Sequence, residues 1–253
     1  MKKSLLSLCV LSSIVATSAQ ADTLLGLYAG AQGWNMETSG SFADDANEIN
    51  NFMFEDETKG SFYVALEHPI PLVPNIKLQR TDLDAAGEVN LDANFEFGGN
   101  LYTINSDVLT DVELTSTDII LYYELFDNDL ISFDVGINGK YLDGNLIVQD
   151  KNDSNSGTME EFSGVVPMLY SRIQVGIPLT GFGAYIEGSF LSFDDHTLSD
   201  YQAAVTYSLL DNIAIDMTFQ LGYRSLTLDL DDLDGIYTDL EFSGAFAGVE
   251  VHF

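Results

Sequence analysis

The last seventeen residues of the chain, Tyr237 to Phe253, read YTDLEFSGAFAGVEVHF. Small and apolar side chains recur at every second position from Ala245 through Val251 to Phe253, and the residues between them form a second face. This period of two is typical of a β-strand. A last strand that ends on an aromatic residue is typical of a transmembrane β-barrel, because it pairs with the first strand and shows apolar side chains to lipid at alternate positions.

The first 21 residues have the pattern of a secretory signal peptide. Two lysines precede an apolar stretch over residues 5–16, and an Ala-x-Ala cleavage site follows at 19–21. The apolar stretch is too short to cross a bilayer as a helix. We therefore expect residues 1–21 to be removed and residues 22–253 to form a single outer-membrane barrel domain.

Composition excludes several kinds of chemistry. The only cysteine, Cys9, lies in the signal segment, so the mature chain is expected to have no disulfide, thiolate-bound metal or cysteine nucleophile. No cofactor is predicted. The formal net charge of −31 becomes about −33 once Lys2 and Lys3 are removed. Such a charge argues against nucleic acid as a partner and is compatible with divalent cations.

Alternating runs continue through the rest of the chain. No stretch after residue 21 holds about 18 uninterrupted apolar residues, so no transmembrane helix is predicted. The pattern predicts an all-β fold, a transmembrane up-and-down antiparallel β-barrel of about ten strands, with eight or twelve strands as alternatives. The predicted strands are 23–36, 58–68, 75–83, 111–126, 130–143, 161–177, 182–193, 199–209, 213–229 and 237–253.

The connections between these runs alternate in length. Short turns on one side and long acidic loops on the other indicate the periplasmic and extracellular ends of a barrel. The connection 84–110 alternates again up to Gly98-Gly99, which predicts a hairpin that projects above the membrane as a flap. The predicted long loops are 37–57, 84–110, 144–160, 194–198 and 230–236.

Charged residues fall on the strand faces that point away from lipid. Since the interior of a small barrel is filled by side chains, and buried charges must be paired, these residues predict an ion-pair core. A charged constriction that lines a narrow pore is the alternative. Arg80 fits neither, because it shares the lipid face with Leu78; a β-bulge or contact with a lipid phosphate would explain it. The lumen candidates are Asp118, Glu124, Asp134, Lys140, Arg172, Glu187, Asp216, Arg224 and Glu250.

One acidic segment has part of the spacing of a calcium-binding loop. Asp232, Asp234 and Glu241 fit positions three, five and twelve, but Leu230 would occupy position one and cannot bind a metal. No EF-hand is therefore predicted. The three carboxylates are weak candidates for a loose divalent site, and a hydrated hairpin tip is the plainer interpretation.

His196 is the histidine best placed for catalysis. It follows two aspartates in a predicted extracellular loop, with Ser199 and Asp200 nearby. Membrane barrels that are enzymes, such as the omptin proteases and the lipid A deacylases, place such residues at the outer mouth. A catalytic triad is defined by geometry and not by proximity along one loop, so no catalysis is predicted.

Several segments together resemble a family of uncharacterised outer-membrane β-barrel proteins of Gram-negative bacteria. They are the Gly26-x-Tyr28-x-Gly30 run with Trp34, the strand 118–123 and the closing strand 244–253. The resemblance implies a single porin-like barrel in the outer membrane and supplies no catalytic motif. One expected partner is the barrel-assembly machinery, which inserts such barrels, and Phe253 ends the strand that closes this one. The others are outer-membrane lipid and lipopolysaccharide, bound directly or through divalent cations. The sequence identifies no other protein partner.

Three classes of function follow from the sequence. The first is an integral outer-membrane barrel with a structural or surface-interaction role and no catalysis. The second is a narrow channel with a charged lumen. The third is an outer-membrane hydrolase with His196 at its extracellular mouth. Conductance in planar bilayers separates the first from the second, and loss of activity in His196→Ala would identify the third.

Overall fold

The computed structural model describes residues 25–43, 50–128, 130–153, 156–193, 196–212, 215–233 and 236–253. The predicted signal segment lies outside these residues. Within the described ranges there is no helix with the length and apolarity needed to cross a membrane. The strands are β1 (Gly26–Ala43), β2 (Asn50–Phe54), β3 (Glu57–Glu67), β4 (Asn75–Asp82), β5 (Ala85–Asn90), β6 (Phe95–Phe97), β7 (Asn100–Tyr102), β8 (Asp107–Asp127), β9 (Ile131–Asp150), β10 (Thr158–Gly176), β11 (Phe182–Phe193), β12 (His196–Asn212), β13 (Ile215–Leu233) and β14 (Ile236–His252).

The strands close into a ring of ten, which confirms the predicted antiparallel barrel. Its order is β14-β13-β12-β11-β10-β9-β8-β4-β3-β1, and β1 pairs back onto β14 from Tyr28↔His252 to Ala43↔Tyr237. Strands β2 and β3 form one wall strand interrupted at residues 55–56, and β4 and β5 form another interrupted at 83–84. The upper pieces pair with each other, β2 also with β1 and β5 also with β8.

Side chains that face outward near the turn end of the barrel are mostly apolar. The exposed residues on β8 include Ile119 and Tyr123, and those on β13 include Phe219 and Leu221. Aromatic side chains border this apolar band at both edges, as in outer-membrane barrels. Exposed aromatic residues near the turn end are Tyr123, Phe126, Phe182, Tyr207 and Phe253, and those at the upper edge are Phe62, Tyr141, Phe190, Tyr201 and Tyr223.

The polarity of the two wall faces inverts part-way up the barrel. On β8 the outward residues below Thr117 are apolar, whereas most of those above it are polar and include Asp111. The inward residues change in the opposite sense, so that Val112 and Leu114 are buried above Ser116 and Asp118 lies below it. The same inversion gives buried inward residues Leu142, Leu146 and Val148 on β9, Leu226, Leu228 and Leu230 on β13, and Leu240 and Phe242 on β14.

The strand boundaries show that several predicted loops are wrong. In segments 194–198 and 230–236 every described residue belongs to a strand, since β12 begins at His196, β13 ends at Leu233 and β14 begins at Ile236. Strand β8 has 21 residues. At about 3.3 Å per residue and a tilt of about 40°, it rises roughly 50 Å, twice the roughly 25 Å of an apolar band. About half of the wall therefore stands above the membrane.

The predicted projecting flap is also wrong, because the β6–β7 hairpin packs inward over the opening at the end of the barrel opposite the short turns. Phe95 and Phe97 have no exposed surface. The ring of Phe97 lies edge-on to Phe42 with centroids 5.3 Å apart, and Phe95 lies against Phe52 at 6.1 Å. The Tyr102 hydroxyl donates a hydrogen bond to Val148 O at 2.9 Å. The aromatic positions of the hairpin complete the apolar core instead of meeting solvent.

The turn of this hairpin requires glycine. Gly98 and Gly99 have φ of +56° and +73°, a left-handed region that favours glycine. A Cβ on Gly98 would also lie 2.1 Å from Thr158 Cγ2 on β10. The prediction that Gly98-Gly99 closes a hairpin is therefore right, and the turn of that hairpin lies close against β10.

Barrel closure predicts heat-modifiable mobility. Every strand of the ring pairs with two neighbours, so unfolding has no free edge at which to begin. In detergent gel electrophoresis we expect an unheated sample to migrate differently from a boiled one. A variant without residues 237–253 cannot close the ring and should give one mobility at both temperatures. Identical mobility of the full chain before and after boiling would count against a closed barrel.

Candidate functional site in the lumen

The upper charged layer of the lumen is built around Lys140 of β9. Its side chain has no exposed surface, and its Nζ lies 2.7 Å from Asp118 Oδ1 and 2.9 Å from Asp200 Oδ2. It also donates to Ser116 Oγ at 3.0 Å. Asn138 adds a hydrogen bond of 2.6 Å to Asp118 Oδ1. Lys140 thus has three oxygen acceptors, as a buried ammonium requires.

Arg224 of β13 joins this layer to the far wall. Its guanidinium binds Asp200 through two hydrogen bonds, Nε to Oδ1 at 2.9 Å and Nη2 to Oδ2 at 2.7 Å. Its Nη1 donates to Thr81 Oγ1 on β4 at 3.1 Å. Strands β13 and β4 are separated by three strands along the shorter way round the wall, so this contact crosses the lumen. The guanidinium also lies 5.0 Å from the ring centroid of Trp34, a cation–π distance.

A second layer lies below and is built around Glu187 of β11. Oε1 of Glu187 accepts hydrogen bonds from Lys77 Nζ at 2.8 Å and from Gln202 Nε2 at 2.6 Å. Its other oxygen accepts from Arg172 Nη1 at 3.0 Å and from the Tyr170 hydroxyl at 3.3 Å. Since Lys77 belongs to β4, this ion pair also crosses the lumen. A single carboxylate therefore ties three parts of the wall together.

Uncharged polar groups fill the space beside the second layer. The amide of Gln220 donates to the Tyr63 hydroxyl at 3.1 Å and accepts from the Tyr185 hydroxyl at 3.1 Å. Gln32 donates to the same amide oxygen at 3.1 Å. The Tyr63 hydroxyl in turn donates to Glu250. These contacts connect β1, β3, β11, β13 and β14, which lie on one half of the ring.

The predicted lumen residues fall into three groups in the structure. Asp118, Lys140, Arg172, Glu187 and Arg224 belong to the two layers. Glu124, Asp134 and Glu250 line a cavity at the turn end of the barrel. Asp216 lies at the same end, where its Oδ2 is 3.5 Å from His252 Nδ1.

Two central residues, Asp200 and Lys77, were not predicted. Asp200 binds both cations of the upper layer, and Lys77 binds Glu187. The signal was present, because Leu198, Asp200 and Gln202 alternate with outward residues. Lys77 is next to Leu78, which was assigned to the lipid face, so Lys77 must point into the barrel. Extending the same face assignment to β4 and β12 would have found both.

The cavities show how far the lumen is closed. A cavity of about 170 Å³ opens at the turn end. A second one, of about 20 Å³, lies between Asp118, Glu187 and Arg224, and such a volume accommodates about one water molecule. Above these layers the hairpin and the buried apolar side chains fill the barrel.

The metal and catalytic candidates receive little support. Among the described residues no three His, Cys, Asp or Glu side chains form a group that could hold a metal ion. Asp234 and the side chain of Asp232 lie outside the described residues, and Glu241 is exposed on the outer face of β14. His196 begins β12, but its side chain is also outside the described residues.

The structure defines the contacts of two exposed cationic side chains, Arg80 and Lys151. Arg80 points outward on β4, between Phe62 on β3 and Thr117 on β8, in a stretch whose register has no bulge. It therefore lies at the upper aromatic edge of the apolar band. Lys151, between β9 and β10, lies 2.7 Å from Glu88, which raises the pKa of the lysine through a hydrogen bond and its negative charge.

Solved structures with a similar strand arrangement share little sequence with this chain. The transport unit of the autotransporter AIDA-I from Escherichia coli is 7% identical, with 93% of this chain and 91% of that chain covered and a TM-score of 0.43. The translocator domain of the autotransporter NalP from Neisseria meningitidis is 9% identical over 99% and 95%, with a TM-score of 0.44. The toluene transporter TodX from P. putida is 7% identical over 92% and 90%, with a TM-score of 0.31.

These likenesses add no argument about function, and the barrel assignment follows from the strand pairing itself. No protein-family model and no curated protein matches the sequence. Membership of the family that the sequence resembles therefore stays a prediction.

Proposed function

We propose that the protein is an integral outer-membrane barrel that conducts no ions and has a structural or surface-interaction role without catalysis. The observation that carries this proposal is the closure of the lumen at successive levels. The Lys77–Glu187 and Arg224–Thr81 contacts cross it in the membrane half. The β6–β7 hairpin covers it at the extracellular end. An ion entering from the periplasm reaches a closed end.

The upper wall supports a role outside the cell. Its outward residues are hydrated and acidic, whereas its interior is packed like that of a soluble β-barrel. Carboxylates near the membrane surface suit divalent cations that bridge to lipopolysaccharide phosphates, and Arg80 at the aromatic edge suits direct contact with a lipid phosphate. Exposed outward carboxylates of the upper wall include Asp111, Glu113, Asp143, Glu161 and Glu241.

Single-channel recording tests this proposal. Refolded protein inserted in planar bilayers should give no conductance steps, because no continuous water path runs through the described lumen. A porin in the same bilayers serves as the positive control, and heat-modifiable mobility shows that the inserted protein is folded. Reproducible steps whose size changes in Arg172→Ala would contradict the proposal and assign the protein to the channels.

A further inference from the structure

Two turns at the periplasmic end of the barrel share the sequence Ile-Pro-Leu. It occupies residues 70–72 between β3 and β4 and residues 177–179 between β10 and β11. In both turns the residue after the leucine donates its backbone N–H to the carbonyl of the isoleucine, over 3.4 and 3.3 Å. A proline in second place and a residue of positive φ in third place are the features of a type II turn. The two turns are therefore built in the same way.

The leucines of these turns have an unfavourable backbone conformation. Their φ angles are +66° at Leu72 and +69° at Leu179. The third position of a type II turn favours glycine or asparagine, and a bulky residue there is strained. Packing within the described chain does not offset this strain, since the two side chains are 91% and 107% exposed. A contact outside the chain would account for leucine at both positions.

The residues around the leucines are apolar as well. Residues 69–74 read Pro-Ile-Pro-Leu-Val-Pro, and both Ile70 and Val73 are exposed. Ile177, in the second turn, is exposed too. The sequence that follows β8 at the same end of the barrel is, by contrast, Asp-Asn-Asp at 127–129. Contiguous exposed apolar residues of this kind mark contact with a protein or a membrane.

The lipid-facing surface of the barrel continues into both turns. Tyr123, in the aromatic edge near the turn end, donates its hydroxyl to Leu72 O at 3.0 Å. Phe182, three residues after Leu179, belongs to the same edge and packs against Tyr207 with ring centroids 4.9 Å apart. Aromatic side chains at such an edge lie at the level of the lipid headgroups. The leucines are therefore within reach of the periplasmic leaflet.

The positions of the two turns favour lipid over a protein partner. Four strands, β4, β8, β9 and β10, separate them along the shorter way round the ring, so they lie on different sides of the barrel. The mouth of the turn-end cavity lies between them and is lined by carboxylates that include Glu124 and Asp127. One apolar groove of a protein would have to cross this acidic mouth to hold both leucines. A lipid leaflet surrounds the barrel and meets both.

We propose that the two Ile-Pro-Leu turns dip into the periplasmic leaflet, where Leu72 and Leu179 contact phospholipid acyl chains and hold the barrel at a fixed depth. Because the turns lie on different sides of the ring, they also resist tilting of the barrel in the bilayer. This inference rests on the membrane insertion proposed above. It assigns a lipid partner to turns that would otherwise be expected to lie in water.

Spin labels test the contact with lipid. No cysteine follows residue 21, so Leu72→Cys or Leu179→Cys gives a single labelling site in residues 22–253. After refolding in phosphatidylcholine vesicles, electron paramagnetic resonance compares collisions of the label with oxygen, which concentrates in hydrocarbon, and with a water-soluble nickel chelate. We expect the oxygen-to-nickel ratio at both leucines to be several-fold higher than at Asp127→Cys, and close to that at Phe219→Cys in the apolar band.

The two reference labels separate this inference from the function on which it rests. A ratio at either leucine equal to that at Asp127→Cys would overturn the inference and leave that turn in water, while Phe219→Cys still reported lipid. A water-like ratio at Phe219→Cys would contradict membrane insertion itself and overturn both proposals. Heat-modifiable mobility of each labelled variant shows that it is folded.

A paired substitution tests whether the leucines hold the depth of the barrel. Asparagine tolerates positive φ but is polar, so Leu72→Asn combined with Leu179→Asn should keep the fold and lose the contact with acyl chains. A label at Leu125→Cys, exposed near the same end of the barrel, should then show a lower oxygen-to-nickel ratio. Leu101→Asn, on the β6–β7 hairpin, should leave that ratio unchanged. An unchanged ratio in the paired variant would overturn the role in depth.

Discussion

Asp200→Asn should lower the free energy of unfolding of the refolded barrel by roughly 3–5 kcal/mol, the usual cost of removing one partner of a buried ion pair. Asp200 is the carboxylate that binds both Arg224 and Lys140. Lys140 would keep Asp118, whereas Arg224 would keep the Thr81 hydroxyl, the face of Trp34 and at most one uncharged amide oxygen. A buried guanidinium would thus lose its counter-charge. Chemical unfolding in detergent measures the change.

Three further variants show whether burial of the ion pair causes this loss of stability. Glu88→Gln breaks the exposed pair with Lys151 and should leave the free energy of unfolding nearly unchanged. Arg172→Ala should cost less than Asp200→Asn, because Glu187 keeps Lys77 and Gln202. Combining Asp200→Asn with Arg224→Gln should recover part of the loss. If Asp200→Asn were as stable as Glu88→Gln, the upper layer would not be a structural core.

Phe97→Ala should release the β6–β7 hairpin from the extracellular opening. The Phe97 side chain is fully buried and packs against Phe42 and Phe95. Removing a buried phenylalanine costs roughly 3–5 kcal/mol. Since 1.4 kcal/mol is about a factor of ten, the population of the detached hairpin should rise by roughly a hundredfold or more. Limited proteolysis of protein in liposomes should then cut the chain between residues 91 and 106.

Leu101 provides the matched control on the same hairpin. Its side chain is exposed, so Leu101→Ala removes little packing and should leave the rate of cleavage near that of the parent protein. Rapid cleavage of the parent between residues 91 and 106 would show that the hairpin projects into solvent. Slow cleavage of all three proteins would show that the packing of Phe97 does not hold it in place.

The fold could be predicted because period-two alternation and turn residues are local properties of the chain. Strand ends near the membrane turns came within a few residues of the structure, whereas the upper ends of β1 and β9 extend seven residues further, to Ala43 and Asp150. A strand that leaves the membrane exchanges its polar and apolar faces. A strand prediction that requires apolar residues on the lipid-facing side therefore stops at the membrane surface, although the strand continues beyond it.

The site was predictable only in part, for a different reason. Alternation places Arg172 and Glu187 inside the barrel, but it does not say which inward residues meet across the lumen. The contact of Lys77 with Glu187 depends on the stagger of all ten strands, which is fixed only when the ring closes. The buried hairpin required knowledge of the same closed shape, because Phe95 and Phe97 would otherwise suit an exposed binding surface.

The inversion of polarity along the wall also bears on the fidelity of strand pairing during assembly. A slip of one residue turns every side chain of a strand to the other face. On β13 such a slip would place Arg224 and Gln220 in lipid and, in the same step, Leu226 and Leu228 in water. In an ordinary membrane strand a register slip costs free energy only within the bilayer, whereas in β13 it costs free energy over the whole length of the strand. The part of the chain outside the membrane therefore helps to fix the register of the part inside it.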